Sequence, residues 1–295
     1  MENFSREKHI YVIQMIDSKY GMTIKNQEQK KAFMDANLID LDFDTPIFRI
    51  FSLERFLSVL KEKKLCLVKP KCWEDPFENF LMKSEGVLRD GVRVSLEPIR
   101  EQYYGLCWSL KEECDGLWRN YTNHYSCKTC TFCDYIRRRG KKPVSIKVKT
   151  TVGKLMNAFY NEKDPFHNIC YFMGKVRYLE MDEILGYINK ANVTDNTNVN
   201  QVLSLLIKRT PFAYEEEVRL IYTKACNSRD DKKSMMSSDI YKFGIDPDDL
   251  FDEILIDPWT DDNICNQIIT QIKEIYSGNV AKSQLYLKPS FKVKL

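Results

Sequence analysis

Along the chain, hydrophobic and polar positions change rhythm in a way that predicts alternating strands and helices. Ile47 to Phe51 reads as a short buried strand interrupted by Arg49, followed by Ser52 as a helix N-cap. Leu53, Phe56, Leu57 and Leu60 then recur at helical spacing, with Lys61, Lys63 and Lys64 toward the C-terminal end. Leu65 to Val68 predicts a second strand, stopped by Pro70, and Tyr103 to Ser109 an aromatic strand ending in a hydroxyl. The run Asp115 to Tyr121 predicts a helix, Val144 to Val148 a strand, Leu155 to Tyr160 a helix and Gly174 to Tyr178 a strand. Val199, Val202, Leu203 and Leu206 mark a helix that leads into Lys208 and Arg209. Phe251 to Ile256 predicts a strand, and Thr260 the cap of a helix carrying Ile264, Ile268, Ile272 and Ile275. Leu285 to Leu295 is expected to be a strand or an extended end.

These segments predict an α+β fold, a split mixed or antiparallel sheet with helices packed on it. Residues 1–45 are set apart as a helical extension, with Gln27 to Asn37 rich in helix formers, and residues 46–295 are expected to form a single α+β domain. The chain has 295 residues, 43% hydrophobic and 29% charged, enough for one substantial core or two small ones. Its formal charge of +3 does not steer the whole molecule toward nucleic acid, so any basic surface is local, as in Arg137 to Lys142. The charged start of the sequence and the lack of a membrane-length apolar run lead to the expectation of a cytoplasmic protein without a membrane partner.

The densest chemistry lies in Pro211 to Tyr222, read as a strand. Val218, Leu220 and Tyr222 alternate there with Glu217, Arg219 and Ile221, which sends Glu215, Glu217 and Arg219 to one face. Two carboxylates and a guanidinium on one face make either a solvated ion-pair row or the lining of a pocket where charge develops. Arg49, inside an apolar strand, must find an anion, either an internal carboxylate or a phosphate, or snorkel to water. Trp73 and Phe77 anchor a turn in which Asp75 caps the backbone.

The ten cysteines are spread through the chain, which favours reduced thiols. His124, Cys127, Cys130 and Cys133 are spaced three apart and could complete a zinc site or hold part of an iron–sulfur cluster, with Cys107 or Cys114 as a further ligand. On one uninterrupted helix four such residues would not all converge on one ion, so a cysteine-rich face or loop is the competing reading.

With these blocks placed, their order resembles bacterial domain-of-unknown-function family 2971 over roughly residues 45 to 280. The blocks are Ile47 to Ile50, Leu65 to Val68, Trp73-Glu-Asp-Pro-Phe-Glu78, Gly105-Leu-Cys-Trp-Ser109, Leu117-Trp-Arg-Asn-Tyr121, Gly174-Lys-Val-Arg-Tyr178, Phe212 to Arg219 and Glu253-Ile-Leu-Ile. That family carries no assigned activity. A second resemblance does: an arginine on a first strand, a serine ending a later strand and an acidic pair before a third is similar to the arginine-serine-glutamate pattern of ADP-ribosyltransferases. The resemblance implies that Arg49 holds a phosphate of NAD, Ser109 braces the nicotinamide ribose, and Trp118 or Tyr121 stacks near the nicotinamide. It also implies that Glu217, beside Arg219 in the cofactor pocket, stabilises the opening glycosidic bond and that Glu215 activates the acceptor. This chain departs from the pattern in having no second hydroxyl beside Ser109 and in the cysteine-rich insert after Tyr121.

The implied activity is NAD-dependent ADP-ribosyl transfer or NAD glycohydrolysis, in a toxin or phage-defence setting, with a protein or nucleic-acid acceptor. A nucleic-acid-binding or processing module and a non-catalytic interaction domain are the alternatives. On the sequence, Glu217→Gln is expected to abolish turnover and leave folding nearly intact.

Overall fold

The computed structural model describes residues 24, 26–73, 75, 77–87, 90–122, 143–164, 167–188, 197–223 and 238–290. In chain order the strands are β1 (Leu38–Ile39), β2 (Pro46–Ser52), β3 (Lys64–Val68), β4 (Glu85–Val87), β5 (Arg93–Ser95), β6 (Tyr103–Ser109) and β7 (Ser145–Thr151). They continue with β8 (Tyr171–Lys175), β9 (Arg177–Leu179), β10 (Ile207–Arg209), β11 (Glu217–Thr223), β12 (Ile240–Gly244), β13 (Glu253–Ile256) and β14 (Asn279–Lys282). Helices are interspersed with them, and parallel and antiparallel pairings both occur, so the fold is mixed α and β. The chain divides into two compact units, each assembled from three separate stretches of sequence.

The first unit draws on the described residues of Met1–Thr45, Leu65–Leu110 and Thr151–Gly244. Its strands run in the order β1, β8, β11, β6, β3, β12. β11 is central and buried along its whole length, with β6 and β8 antiparallel on its two sides. Its residues alternate between faces: Val218, Leu220 and Tyr222 on one, Glu217, Arg219, Ile221 and Thr223 on the other. On the first face Tyr222 lies between the rings of Tyr171 and Tyr241, 5.1 and 4.7 Å away, with Phe159 edge-on at 5.5 Å. The second face is covered by the wholly buried helix Val199–Leu205, which brings Val202 and Leu205 into one core with Ile221, Phe172 and Ile39.

Residues before β2 take part in this unit. Asn26 accepts the Gln29 N–H at 2.9 Å to start helix Gln27–Ala36, and Leu38–Ile39 extends the sheet as a strand parallel to β8. The expected strand over 174–178 is two: β8 stops at Lys175, and β9 starts at Arg177 and pairs with β10. Between them the Val176 N–H is donated to the Glu217 carbonyl at 2.8 Å, a last bond to β11 before β9 pairs with β10.

The second unit draws on Pro46–Lys64, Lys111–Thr150 and Ile245–Leu295, with strand order β2, β7, β13, β14. Ser52 caps helix Leu53–Glu62 by accepting the Arg55 N–H at 3.4 Å, and Phe56 packs on Phe51 and Phe251. Helix Asp262–Lys273 buries Ile264, Ile268 and Ile272, as its periodicity predicts. Its cap is Asp261, accepting from the Asn263 N–H at 3.1 Å, not Thr260. The Thr260 N–H instead closes a turn on the Asp257 carbonyl. Past β14, residues 283–290 form no strand.

Candidate functional site

The segment leading into β11 is more structured than its alternation implies. Thr210–Glu215, opened by Pro211, forms a 3-10 helix, and Glu216 then takes a left-handed conformation with φ 44° that reverses the chain into the strand. Glu215 is therefore not a strand residue, yet the turn returns its carboxylate to the group that Glu217 meets.

That group is Lys208 on β10. Its ammonium lies 2.6 Å from Glu215 Oε2, 3.3 Å from Glu217 Oε2 and 3.1 Å from Glu78 Oε1. Arg219, 1% exposed, forks onto Glu217 through Nε to Oε1 at 2.8 Å and Nη2 to Oε2 at 2.9 Å. The same Nη2 donates to Glu78 Oε1 at 2.8 Å, and Nη1 to the Leu205 carbonyl at 2.6 Å. Three carboxylates and two cations thus form one buried cluster. A second pair flanks it, with Arg209 donating to both oxygens of Asp75 at 2.9 and 3.3 Å and stacking on Phe77 at 4.1 Å. Asp75 also accepts the Phe77 N–H at 3.0 Å, as expected for a turn cap.

The aromatic roof of the cluster depends on a missing side chain. Trp73 lies over the Arg219 guanidinium at 4.2 Å, and a Cβ at Gly105 would come within 2.6 Å of its Cζ2. Gly105, Cys107 and Ser109 share one face of β6, and only a glycine leaves room for the indole there. Gly105→Val is expected to expel Trp73 and cost about 1 to 3 kcal/mol, visible as a lower urea midpoint and a shift in tryptophan emission. An unchanged emission maximum would show that the indole does not sit on Gly105.

Burial and charge set the carboxylates apart. Burial alone pushes Glu217 up, but the Arg219 and Lys208 charges override it and hold the carboxyl at about 2, so Glu217 is ionised at every working pH. For Glu215 burial prevails over its bond to Lys208, and the carboxyl is raised above the ordinary range. Burial pulls the Lys208 ammonium down, but Glu217, Glu78 and Glu215 more than reverse this and keep it protonated. Exposure differs too: the Glu215 side chain is 18% exposed and that of Glu217 6%. Glu217 is suited to fixed electrostatics and Glu215 to proton transfer.

Of the residues singled out by sequence, the fold brings Ser109, Glu215, Glu217 and Arg219 together in the first unit. Ser109 stands directly opposite Glu217 in the β6–β11 ladder, and its Oγ donates to the Glu215 carbonyl at 2.6 Å. Arg49, Trp118 and Tyr121 belong to the second unit. Arg49 on β2 is half-buried with its guanidinium 5.0 Å from the Phe51 ring. Trp118 is fully buried and donates its indole N–H to Glu113 at 3.0 Å, while Tyr121 is exposed. His124, Cys127, Cys130 and Cys133 lie outside the described residues, as does Arg137 to Lys142. Among the described residues no cluster of His, Cys, Asp and Glu could hold a metal ion, and no helix is long and apolar enough to cross a membrane.

Sequence reasoning missed Glu78, Lys208 and Tyr178, whose hydroxyl accepts the Glu217 N–H at 2.8 Å. Their only local signal was polarity next to apolar segments: Lys208 after the helix of Val202 and Leu203, and Glu78 after the Trp73 turn.

No protein-family model matches the chain, so the likeness to family 2971 remains one of block order, and no curated protein matches it. Among solved structures, Thermus sp. 2.9 DarT in complex with carba-NAD+ aligns at TM-score 0.34 and 10% identity, over 83% of this chain and 98% of that one. The same protein in complex with NAD+ aligns at 0.34 and 10%, over 82% and 97%. In complex with ADP-ribosylated ssDNA it aligns at 0.35 and 12%, over 82% and 95%.

Proposed function

We propose that the chain is an ADP-ribosyltransferase-like enzyme that cleaves NAD at the nicotinamide–ribose bond and passes ADP-ribose to an acceptor or to water. The observation that carries this reading is the register of β6 and β11. Ser109 and Glu217, 108 positions apart in sequence, stand opposite each other at the ends of adjacent strands, with the Glu215 turn bonded to the serine hydroxyl. A hydroxyl to brace a ribose and a permanently charged carboxylate beside it suit a reaction whose transition state gathers positive charge on the sugar.

In this reading the ribose C1′–N bond breaks with its electron pair leaving on the nicotinamide nitrogen. The nucleophile bonds to C1′, and its proton passes to Glu215. Glu217 supplies charge and takes no proton. Arg49 is assigned to an NAD phosphate and Trp118 or Tyr121 to the nicotinamide on the sequence resemblance alone, as is the toxin or phage-defence setting.

Purified protein is expected to release nicotinamide from NAD, and Glu215→Gln to slow release by about 10²- to 10⁴-fold with little change in folding. Release that requires cell lysate would mean the acceptor is not water. A folded wild-type protein that releases no nicotinamide under either condition would overturn the assignment.

A further inference from the structure

We propose that Lys208 is a positioning residue of this site: its ammonium gathers Glu215, Glu217 and Glu78 onto one point and decides the charge state of Glu215. This rests on the reading of Glu215 as the proton acceptor, but the contact itself is independent of any substrate.

The geometry leaves the ammonium nothing to spare. A lysine has three N–H donors, and Lys208 has three carboxylate oxygens within 2.6, 3.1 and 3.3 Å. The Phe212 ring, 4.7 Å from Nζ, covers a further side. The side chain is only 10% exposed, so water screens these contacts weakly.

The backbone holds Lys208 as firmly as its partners do. β10 pairs in parallel with β9, with Lys208 opposite Tyr178. Both residues act on Glu217, Tyr178 through its backbone N–H and Lys208 through its carboxylate. The two-stranded ladder is thus a clip around the start of β11, and Arg177 N–H donating to the Leu206 carbonyl at 2.8 Å ties it to the buried helix before β10.

The charge balance explains why this lysine matters more to Glu215 than to Glu217. Glu217 has its own bidentate arginine, with Cys107 hydrogen-bonded to it as well. Glu215 faces Lys208, Glu217 and Glu78, and its charge is also felt at the Tyr178 hydroxyl. Lys208 is the cation among these neighbours, the others being two carboxylates and a phenol. Removing it leaves Glu215 half-buried beside two anions, and the proton becomes the cheapest compensation.

The test uses Lys208→Met, with Lys208→Gln as the milder variant that keeps polar contacts without charge, and Lys208→Arg as the conservative one. The Glu215 carboxyl is followed by carbon NMR titration in the folded proteins, and nicotinamide release from NAD is measured as a function of pH. Loss of the charge is expected to move the Glu215 titration upward by one pH unit or more and to carry the acid limb of kcat/KM with it. At a fixed pH on that limb this is a fall of about tenfold or more. Lys208→Arg is expected to restore both toward wild type. A Glu215 titration that stays in place in folded Lys208→Met or Lys208→Gln would overturn the inference. If wild type releases no nicotinamide, the proposed function fails, while the titration still decides the role of Lys208.

Discussion

Arg219→Ala is expected to lower the unfolding free energy by about 3 to 5 kcal/mol, the largest effect of any single substitution in the cluster. Its guanidinium satisfies both oxygens of Glu217, one of Glu78 and the Leu205 carbonyl, and its face carries Trp73. Truncation leaves two carboxylates buried with Lys208 as their remaining cation, and opens a gap beneath the indole. Arg219→Lys keeps the charge but loses the planar fork, so it is expected to recover only part of the loss. The measurement is a urea midpoint for each variant, with Arg219→Ala combined with Glu217→Ala to close a double-mutant cycle. A coupling near zero would mean that the two side chains do not support each other in solution.

Glu217→Gln is expected to be roughly 3 kcal/mol less stable than wild type at pH 7 and to lose the acid sensitivity that Glu217 confers. The expectation from local sequence, that this isostere would leave folding nearly intact, treats Glu217 as a pocket carboxylate. Buried against Arg219 and Lys208, it is a structural anion first. The sign follows from its folded carboxyl at about 2 against the ordinary 4.5. Its contribution is complete above about pH 4.5 and is lost as pH falls toward 2, an effect on the order of 3 kcal/mol. Glu215 acts in the opposite sense: its raised carboxyl favours folding below the ordinary glutamate value, and that contribution is lost as pH rises through the folded value. Urea midpoints at pH 7, 4.5 and 3 separate the two. Wild type is expected to weaken between the last two points more than Glu217→Gln; equal slopes would show that Glu217 is not held ionised.

Under the proposed function, activity and stability are therefore read from different carboxylates. Loss of turnover in Glu217→Gln would report a damaged fold as readily as damaged chemistry, whereas Glu215, the more exposed of the two, reports chemistry more cleanly.

Local pattern carried far where the physics is local. Alternation marked β11, short apolar or aromatic runs marked β2, β3 and β6, and helical spacing marked Leu53–Glu62, Val199–Leu205 and Asp262–Lys273, because burial is written into consecutive residues. Alternation failed at Thr210–Glu215, where proline and a left-handed Glu216 impose a turn, and at Val176, where the chain passes from pairing with β11 to pairing with β10. The sequence by itself determined the mixed α and β character, the central strand and the concentration of charge around it. Only the tertiary structure decided which charges meet: Glu78, Tyr178, Lys208 and Arg219 come from distant stretches and carry no mutual periodicity. Their pairing follows from strand order and from the need of a buried charge for a partner within hydrogen-bond reach.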